Sequence, residues 1–534
     1  MNLLDRAISA VSPQTGLKRQ IARRHMDILA SGYSEHGANH HKGSTKGWVY
    51  AGGSSKEDIE DNLPVLRQRS RDLYMGAPLA TSAVKTYRTS VVGEGLSVKP
   101  EIDAEFLGLS EEQAAKLESE ITREWNLWAD STDCDANRLS NFYELQQLAF
   151  LNWTMSGDVL ATLPAWERPG SPYDLRINLI EADRCMTPPE EQAKQYKSAD
   201  FQKIVDGVER NRRGEVVAYW ISNKHPLTNN IATKQSFVRI RAYGRLTGRK
   251  NVLHLMNRER VGQVRGVPLL APVIETLKQL DRYTEAEIAA AVGQSYWSIF
   301  ITKENAVEGP PIGEVMPEEA QIDAGDENSI EMFPGMVMDL GEGEKPELLQ
   351  PTHPSSTFDG FVGAICKQVG AALEIPQELL LKQFTASYSA SRGALLEAWK
   401  THDMYRDWMV SGFCEPIYQE WLCEAVAKGR IHAPGFFSDP AIRRAYSGSQ
   451  WYGPARGILD PKKEVEAAQM RVANGFSTAT KETMELTGTD FKTNMATRKR
   501  EVEMMQEATG KTGLEQTGGT QGQEKEEEDD ENRT

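Results

Sequence analysis

From Pro268 to about Gln294 the chain keeps an unbroken helical pattern, with Pro272 confined to the first turn, where proline is tolerated. At 1.5 Å per residue this is roughly 40 Å of helix. Its apolar residues (Val273, Ile274, Leu277, Leu280, Ile288, Val292) cover more than one stripe. The following stretch, 297–352, reads as short strands and loops rich in Glu, Gly and Pro. A second helix runs from about Ser356 to Leu373 and stops at Ile375-Pro376, because the residue before a proline is pushed out of the helical region. A polar stretch, Lys382 to Ser389, separates it from a third, long helix over 390–428. The order is helix, small β-rich insertion, helix, loop, long helix.

Upstream, residues 1–61 read as an arm, basic at Lys18, Arg19, Arg23 and Arg24 and then rich in Gly, Ser and His. His36, His40 and His41 lack cysteines or regular helical spacing, which favours a surface segment over a metal site. Two helices joined at Pro78 fit Asn62–Val92, and Val92-Gly93-Glu94-Gly95-Leu96 is a turn leading into a strand. Ser110-Glu111-Glu112-Gln113 is a capping-box start for a helix ending near Trp128, and another helix follows Ser140. Alternation then takes over at Val159–Leu163, Arg176–Ile180 and Val216–Ile221, giving a mixed α+β block. Near the end, 461–474 and 477–487 form a helical pair broken at Asn474-Gly475. The tail beyond about 506, closing on Glu526-Glu527-Glu528-Asp529-Asp530-Glu531, has too little apolar content to order itself.

With 39% hydrophobic and 26% charged residues the chain reads as a protein made and kept in the cytosol. No run approaches the roughly 20 apolar residues of a membrane helix, and the start Met1-Asn2-Leu3-Leu4-Asp5 lacks the plan of a signal peptide. The five cysteines (Cys134, Cys185, Cys366, Cys414, Cys423) form no C-x-x-C pair, so neither a disulfide frame nor a zinc site is indicated. A formal charge of −16 argues against tight wrapping of nucleic acid, though it permits a channel in which DNA slides.

The search for catalysis finds no H-E-x-x-H and no G-x-S-x-G. Gly510-Lys511-Thr512 imitates the end of a Walker A loop, but Met505 stands where the earlier glycine is required and no buried strand precedes it. Acidic pairs (Glu181 with Asp183, Asp339 with Glu342) suit solvated strand ends better than Mg²⁺ sites. No catalytic residue, metal ligand or cofactor site is indicated.

The block around the long helices carries a resemblance. Arg260-Val261-Gly262-Gln263-Val264-Arg265-Gly266-Val267-Pro268 resembles the R-x-G-Q-x-R-G-x-P signature of lambda-like bacteriophage portal proteins. Leu373-Glu374-Ile375-Pro376 with Glu378-Leu379-Leu380 resembles their L-G-V-P-x-E-x-L turn, with Glu374 where glycine is usual. Ser387-Tyr388-Ser389-Ala390-Ser391-Arg392 resembles N-Y-S-S-x-R, with Ser387 in place of the common asparagine. Asp460-Pro461-Lys462-Lys463-Glu464 and Gly475-Phe476-Ser477-Thr478 match D-P-x-K-E and G-x-S-T. With Arg67–Leu73 and the Val92–Leu96 turn, the matches run in order from about 62 to 505.

This resemblance implies an α+β, predominantly helical portal fold assembled as a ring, usually of twelve subunits. The implied parts are an arm (1–61), wing (62–266), first stem helix (267–296), clip (297–353) and second stem helix (354–375). Then come a tunnel loop (376–390), a long helix with the rest of the wing (391–459), a crown (460–505) and an acidic tail (506–534). It also implies a non-enzymatic protein of the virion, at the unique capsid vertex, assembled in the host cytoplasm. Double-stranded viral DNA would pass through during packaging and ejection, and partners would be the terminase large subunit, head-tail connector proteins and the major capsid protein, with no membrane. Lys382, Gln383, Ser387 and Tyr388 of the tunnel loop would meet DNA; a loop touching only neighbouring subunits fits them equally. Trp297, Phe300, Glu331 and Phe333 would lie near the docking surface of the clip, or in its core. The stem cations Lys278, Arg282 and Lys367 could face channel or solvent. Another ring-forming head-completion or scaffold protein would share the size and acidity, without the ordered motif series.

Overall fold

The computed structural model describes residues 52–194, 201–229, 234–295, 299–303, 344–348, 358–384, 387–455, 461–489 and 491–509, with a few short pieces between 12 and 48. The chain divides into two compact units, Met1–Asp58 and Ile59–Thr534. In the first, Ser55–Asp58 forms a single helical turn, and Gly53 N–H donates to Asp58 Oδ1 at 2.9 Å. His36, His40 and His41 lie outside the described residues.

Early in the second unit stand two helices in contact, α1 (Leu63–Gly76) and α2 (Pro78–Val91), each with proline in its first turn. Strand β1 (Ser97–Pro100) follows the Val92–Leu96 turn. In that turn Gly95 has φ +129°, and a Cβ there would stand 2.4 Å from Tyr143 Cβ, so both conformation and space require glycine. Helix α3 (Glu111–Ala129) starts with the Ser110–Gln113 capping box read from sequence, and α4 (Phe142–Ser156) with a second one, Asn141–Glu144.

Strands β2 (Asp158–Thr162) and β3 (Asn178–Glu181) pair antiparallel, Val159 opposite Glu181. Next come β4 (Phe201–Val205), β5 (Val208–Asn211), β6 (Val216–Ser222) and β7 (Phe237–Arg241), a four-stranded antiparallel sheet in sequential order. Strand β8 (Val252–Met256) returns to the other edge of β2. One face of the two sheets closes a small core of Leu160, Ile180, Val205, Val208, Tyr219 and Val252.

A 3₁₀ turn, Ala271–Val273, leads into α5 (Ile274–Ser295). Beyond it β9 (Ile299–Lys303) pairs with β10 (Glu344–Leu348), Phe300 opposite Glu347. Trp297, Glu331 and Phe333 lie outside the described residues, as does the intervening insertion. Helix α6 (Phe358–Ala372) packs back on α5, with Tyr283 stacked on Phe358 and edge-on to Phe361. The short α7 (Gln377–Leu381) precedes α8 (Tyr388–Met409), which runs through a π-turn at Val410–Cys414 into α9 (Glu415–Ala427). The sequence pattern reads 390–428 as one regular helix; the π-turn interrupts it where Gly412 meets β8. A Cβ on Gly412 would lie 2.4 Å from Leu255 Cδ2, so any larger residue there would push the Leu255 side chain aside.

Strand β11 (Ser449–Tyr452) pairs with β1, and α10 (Pro461–Ala473), α11 (Ala479–Thr487) and α12 (Phe491–Thr509) complete the described chain. The main core brings α3, α4 and α9 together around Trp125, whose ring lies 5.1 Å from Trp128, Phe142 and Trp421 and 5.5 Å from Tyr418. Such tilted and edge-on pairs add to the large apolar area that each ring buries. The acidic tail and Gly510-Lys511-Thr512 fall outside the described residues.

Candidate channel loop and its anchorage

The loop between α6 and α8 is tied to α2 at its base. Leu373 carbonyl accepts the Tyr87 hydroxyl at 2.5 Å, and Leu380 carbonyl accepts that of Ser82 at 2.8 Å. Leu373, Ile375 and Leu380 are buried in the main core, which fixes the loop's start. Glu374 ends α6 with φ +55°, followed by Ile375 N–H donating to Gly370 carbonyl. This is the left-handed position that ends helices and favours glycine.

Lys382 ends α7 in the same left-handed conformation, φ +55°, and its Nζ donates to Thr86 Oγ1 at 3.2 Å. Gln383 and Phe384 are exposed beyond it. Ser387 is the N-cap of α8, its hydroxyl accepting from Ala390 N–H. Asparagine, usual at this point of the resembling motif, caps equally well, which accounts physically for the exchange. Tyr388 opens α8 half-exposed, with Lys463 Nζ 5.6 Å from its ring centroid. Thus Lys382 and Ser387 have partners within the chain, Tyr388 is braced by a lysine, and Gln383 with Phe384 forms the outermost described part. Phe384 and Lys463 were not singled out from sequence; an apolar residue within a polar loop was the available signal.

One turn into α8, Arg392 Nη2 reaches Glu464 Oε1 of α10 at 2.8 Å. The two residues belong to the motifs ending in Arg392 and Glu464, so the exit of the loop is linked to the C-terminal helices.

The Arg260–Pro268 motif builds something different, a buried ion-pair knot. Arg265 and Asp158 are both fully buried. Arg265 Nε donates to Asp158 Oδ2 at 2.6 Å and Nη2 to Oδ1 at 3.2 Å. Its other donors go to the carbonyls of Cys185, Asp206 and Ala182, so the whole guanidinium fork is satisfied. Arg67 Nη2 adds a second cation at 3.2 Å, His254 Nε2 lies 3.2 Å from Oδ2, and Gly266 N–H donates to the same oxygen. Gln263 closes the turn by accepting from Glu259 and Arg260 N–H and donating to Arg265 carbonyl. Gly266 is required by contact: a Cβ would lie 1.8 Å from Gly157 carbonyl. Burial alone would raise the Asp158 carboxyl, yet Arg265, Arg67 and His254 hold it well below the ordinary carboxylate range. The knot holds α1, β2, β8 and the entrance to α5 in one arrangement.

Asp183 is engaged by Arg71 Nη1 at 2.7 Å, which makes it an ion-pair partner. Among the described residues no group of three or more His, Cys, Asp or Glu could hold a metal ion. Burial pushes the thiols of Cys185 and Cys423 up to about 11, so both are protonated near neutrality. Among the described residues no helix is long and apolar enough to cross a membrane.

Helices α5 and α6 leave an uneven surface. Val273, Leu277 and Leu280 are buried at the inner end, while Ile288 and Val292 are 64% and 51% exposed further along and Phe361 of α6 is 51% exposed. Lys278 pairs with Asp281 at 3.5 Å, and Arg282 and Lys367 are exposed.

Comparison with known proteins follows this geometry. The family model described as phage portal protein, lambda family, matches residues 41–406. The chain is 22% identical over 477 residues to the portal protein of Escherichia phage N15, covering 86% of this chain and 88% of that one. It is 22% identical over 476 residues to portal protein B of Escherichia phage lambda, covering 86% and 87%. Among solved structures, a chain from the neck of a native gene transfer agent (GTA) particle, computed with C12 symmetry, aligns with TM-score 0.40 and 14% identity over 79% of this chain and 92% of that one.

Proposed function

The chain belongs to the lambda family of phage portal proteins, and from that premise we propose that about twelve copies close into a ring at one capsid vertex, leaving an axial passage for double-stranded DNA. The observation that supports closure is the exposed apolar part of the stem. Ile288 is 64% and Phe361 51% exposed, Phe361 resting one edge on Tyr283, and removing the rest of that apolar surface from water is favourable by up to about 1–2 kcal/mol each. A ring of identical subunits supplies that cover by a heterologous contact, one face of each stem meeting a different face of the next.

In this reading 62–266 with 391–459 is the wing, α5 and α6 are the stem, 297–353 is the clip, and 460–505 is the crown. Residues 376–390 extend toward the passage. Gln383 is the residue assigned to DNA most directly, with Tyr388 beside it, while Lys382 and Ser387 mainly hold the loop's shape. Duplex presents phosphates at every register, so a passage that lets it slide needs weak, sequence-blind contacts and no fixed lattice of cations. The clip, including Trp297, Phe300, Glu331 and Phe333, is the docking surface for the terminase large subunit and later for connector proteins, and the wing meets the major capsid protein. The ring itself burns no fuel; another machine moves the DNA. The test is a photo-crosslinking amino acid at Gln383 in rings on heads stalled during packaging. DNA crosslinks at Gln383 and none at Val261, an exposed wing residue, are expected; the reverse pattern refutes the loop assignment.

A further inference from the structure

A cavity of about 790 Å³ lies between the wing and the last helix, away from the channel loop. Its walls are β1, one face of α3 and one face of α12. On α3 the stripe Ser119, Thr122, Arg123 and Asn126 is the face opposite the buried Ile121, Trp125 and Trp128. On α12 Lys492, Ala496 and Arg500 recur every four residues, so two long cations flank a small residue that leaves the middle of the groove open. With Lys99 of β1 and Arg123, four cations line the cleft in a chain whose formal charge is −16. The one carboxylate among the lining residues, Glu118, accepts Ile102 N–H at 3.1 Å.

We propose that this cleft binds the phosphate backbone of duplex DNA outside the central channel. The chemistry favours phosphate over a protein partner. Cations interleaved with hydroxyls and an amide are what phosphate oxygens accept from. The lining is mainly cations, hydroxyls and an amide, with Tyr452 its one aromatic side chain, a composition that suits phosphate oxygens better than the apolar anchors of a protein interface. The site goes beyond the channel reading, since none of its residues belongs to the loop. It would hold DNA against the ring where the wing meets the C-terminal helices.

The test uses assembled full-length rings and a covalently closed DNA minicircle, which cannot thread a preformed ring. Binding is followed by anisotropy between 50 and 200 mM salt. The double variant Arg123→Gln/Arg500→Gln is expected to weaken minicircle binding about tenfold at any sequence and to reduce the slope of log K against log salt by about two. Arg213→Gln, an exposed cation in the turn between β5 and β6, is expected to leave both nearly unchanged. Equal affinity and slope for wild type and double variant overturns the inference. So does a double variant that no longer forms rings while its melting point is kept, because that assigns the cleft to subunit contact. Whether the protein forms rings at all is read separately by microscopy, so failure of the channel reading and failure of this one are distinguishable.

Discussion

Arg392 Nη2 lies 2.8 Å from Glu464 Oε1, joining the first turn of α8 to the first turn of α10 across 72 positions of sequence. Lys463, next to that glutamate, sits over the Tyr388 ring, next to the loop. Two side-chain contacts therefore fasten the start of α8 to the C-terminal helices.

Both partners of this pair are partly exposed, so its worth in global stability is small, at most about 1 kcal/mol. Its expected effect is local. Arg392→Ala should raise amide exchange in 461–473 and in the first turn of α8 while moving the melting point little. Adding Glu464→Ala should change nothing more; additive effects of the two variants would show that the pair is not coupled.

The buried Asp158 should behave very differently. Asp158→Asn leaves Arg265 and Arg67 buried without their counter-charge, an expected loss of about 3–5 kcal/mol seen in denaturant unfolding. The folded carboxyl is held below its unfolded value, so its contribution is complete above the unfolded value near pH 4 and lost only as pH falls through the lowered one. The variant should lack this acid-limb contribution.

His402 acts in a higher pH window, in the same direction. It is buried edge-on to Tyr87 and Trp399, neither ring nitrogen has a hydrogen-bond partner among the described residues, and burial, with Arg406 beside it, lowers its value to about 4. Below about pH 6.5 the unfolded chain takes up a proton that the folded chain refuses. Stability should fall between about pH 6.5 and about 4, by on the order of 3 kcal/mol in total. His402→Phe should flatten that part of the stability profile; an unchanged slope would show that His402 does not supply it.

Glu374 occupies a left-handed position at the end of α6, where its side chain accepts a hydrogen bond from Thr401 at 3.2 Å. Replacing it by glycine removes the Cβ strain and loses one exposed contact. Glu374→Gly should stabilise the protein by roughly 0.5–1 kcal/mol, visible as a higher unfolding midpoint. A lower midpoint would mean that the Thr401 contact outweighs the strain.

Much of the helical frame was legible because its signals are local. The Ser110 capping box, the prolines at 78 and 376 and the apolar spacing of the stem each act within one or two turns, and the helices start or stop at or near them. Strands β2, β3 and β6 were legible from alternation. The π-turn at Val410–Cys414 was not, since it lies where the helix meets Leu255, 157 positions away in sequence. Strand β1 was expected after the Val92–Leu96 turn, but its pairing with the four-residue β11, far away in sequence, was not. At the site, the motifs were readable but their roles were not. The Arg260–Pro268 series reads as a signature, and only the fold shows Arg265 clamped on Asp158. Ser387 and Lys382 read as free loop polars, whereas the fold gives the first a capping bond and the second a bond to Thr86. The cleft between α3 and α12 joins faces that sequence order keeps far apart.

The most direct test of the central claim is negative-stain microscopy of the purified full-length protein, alone and as Ile288→Asp/Phe361→Asp. The account predicts rings with an axial hole for the native chain, and dispersed but folded monomers for the variant, because both substituted side chains are more than half exposed within a single subunit. Solid discs or monomers from the native chain, or intact rings from the variant, would contradict it.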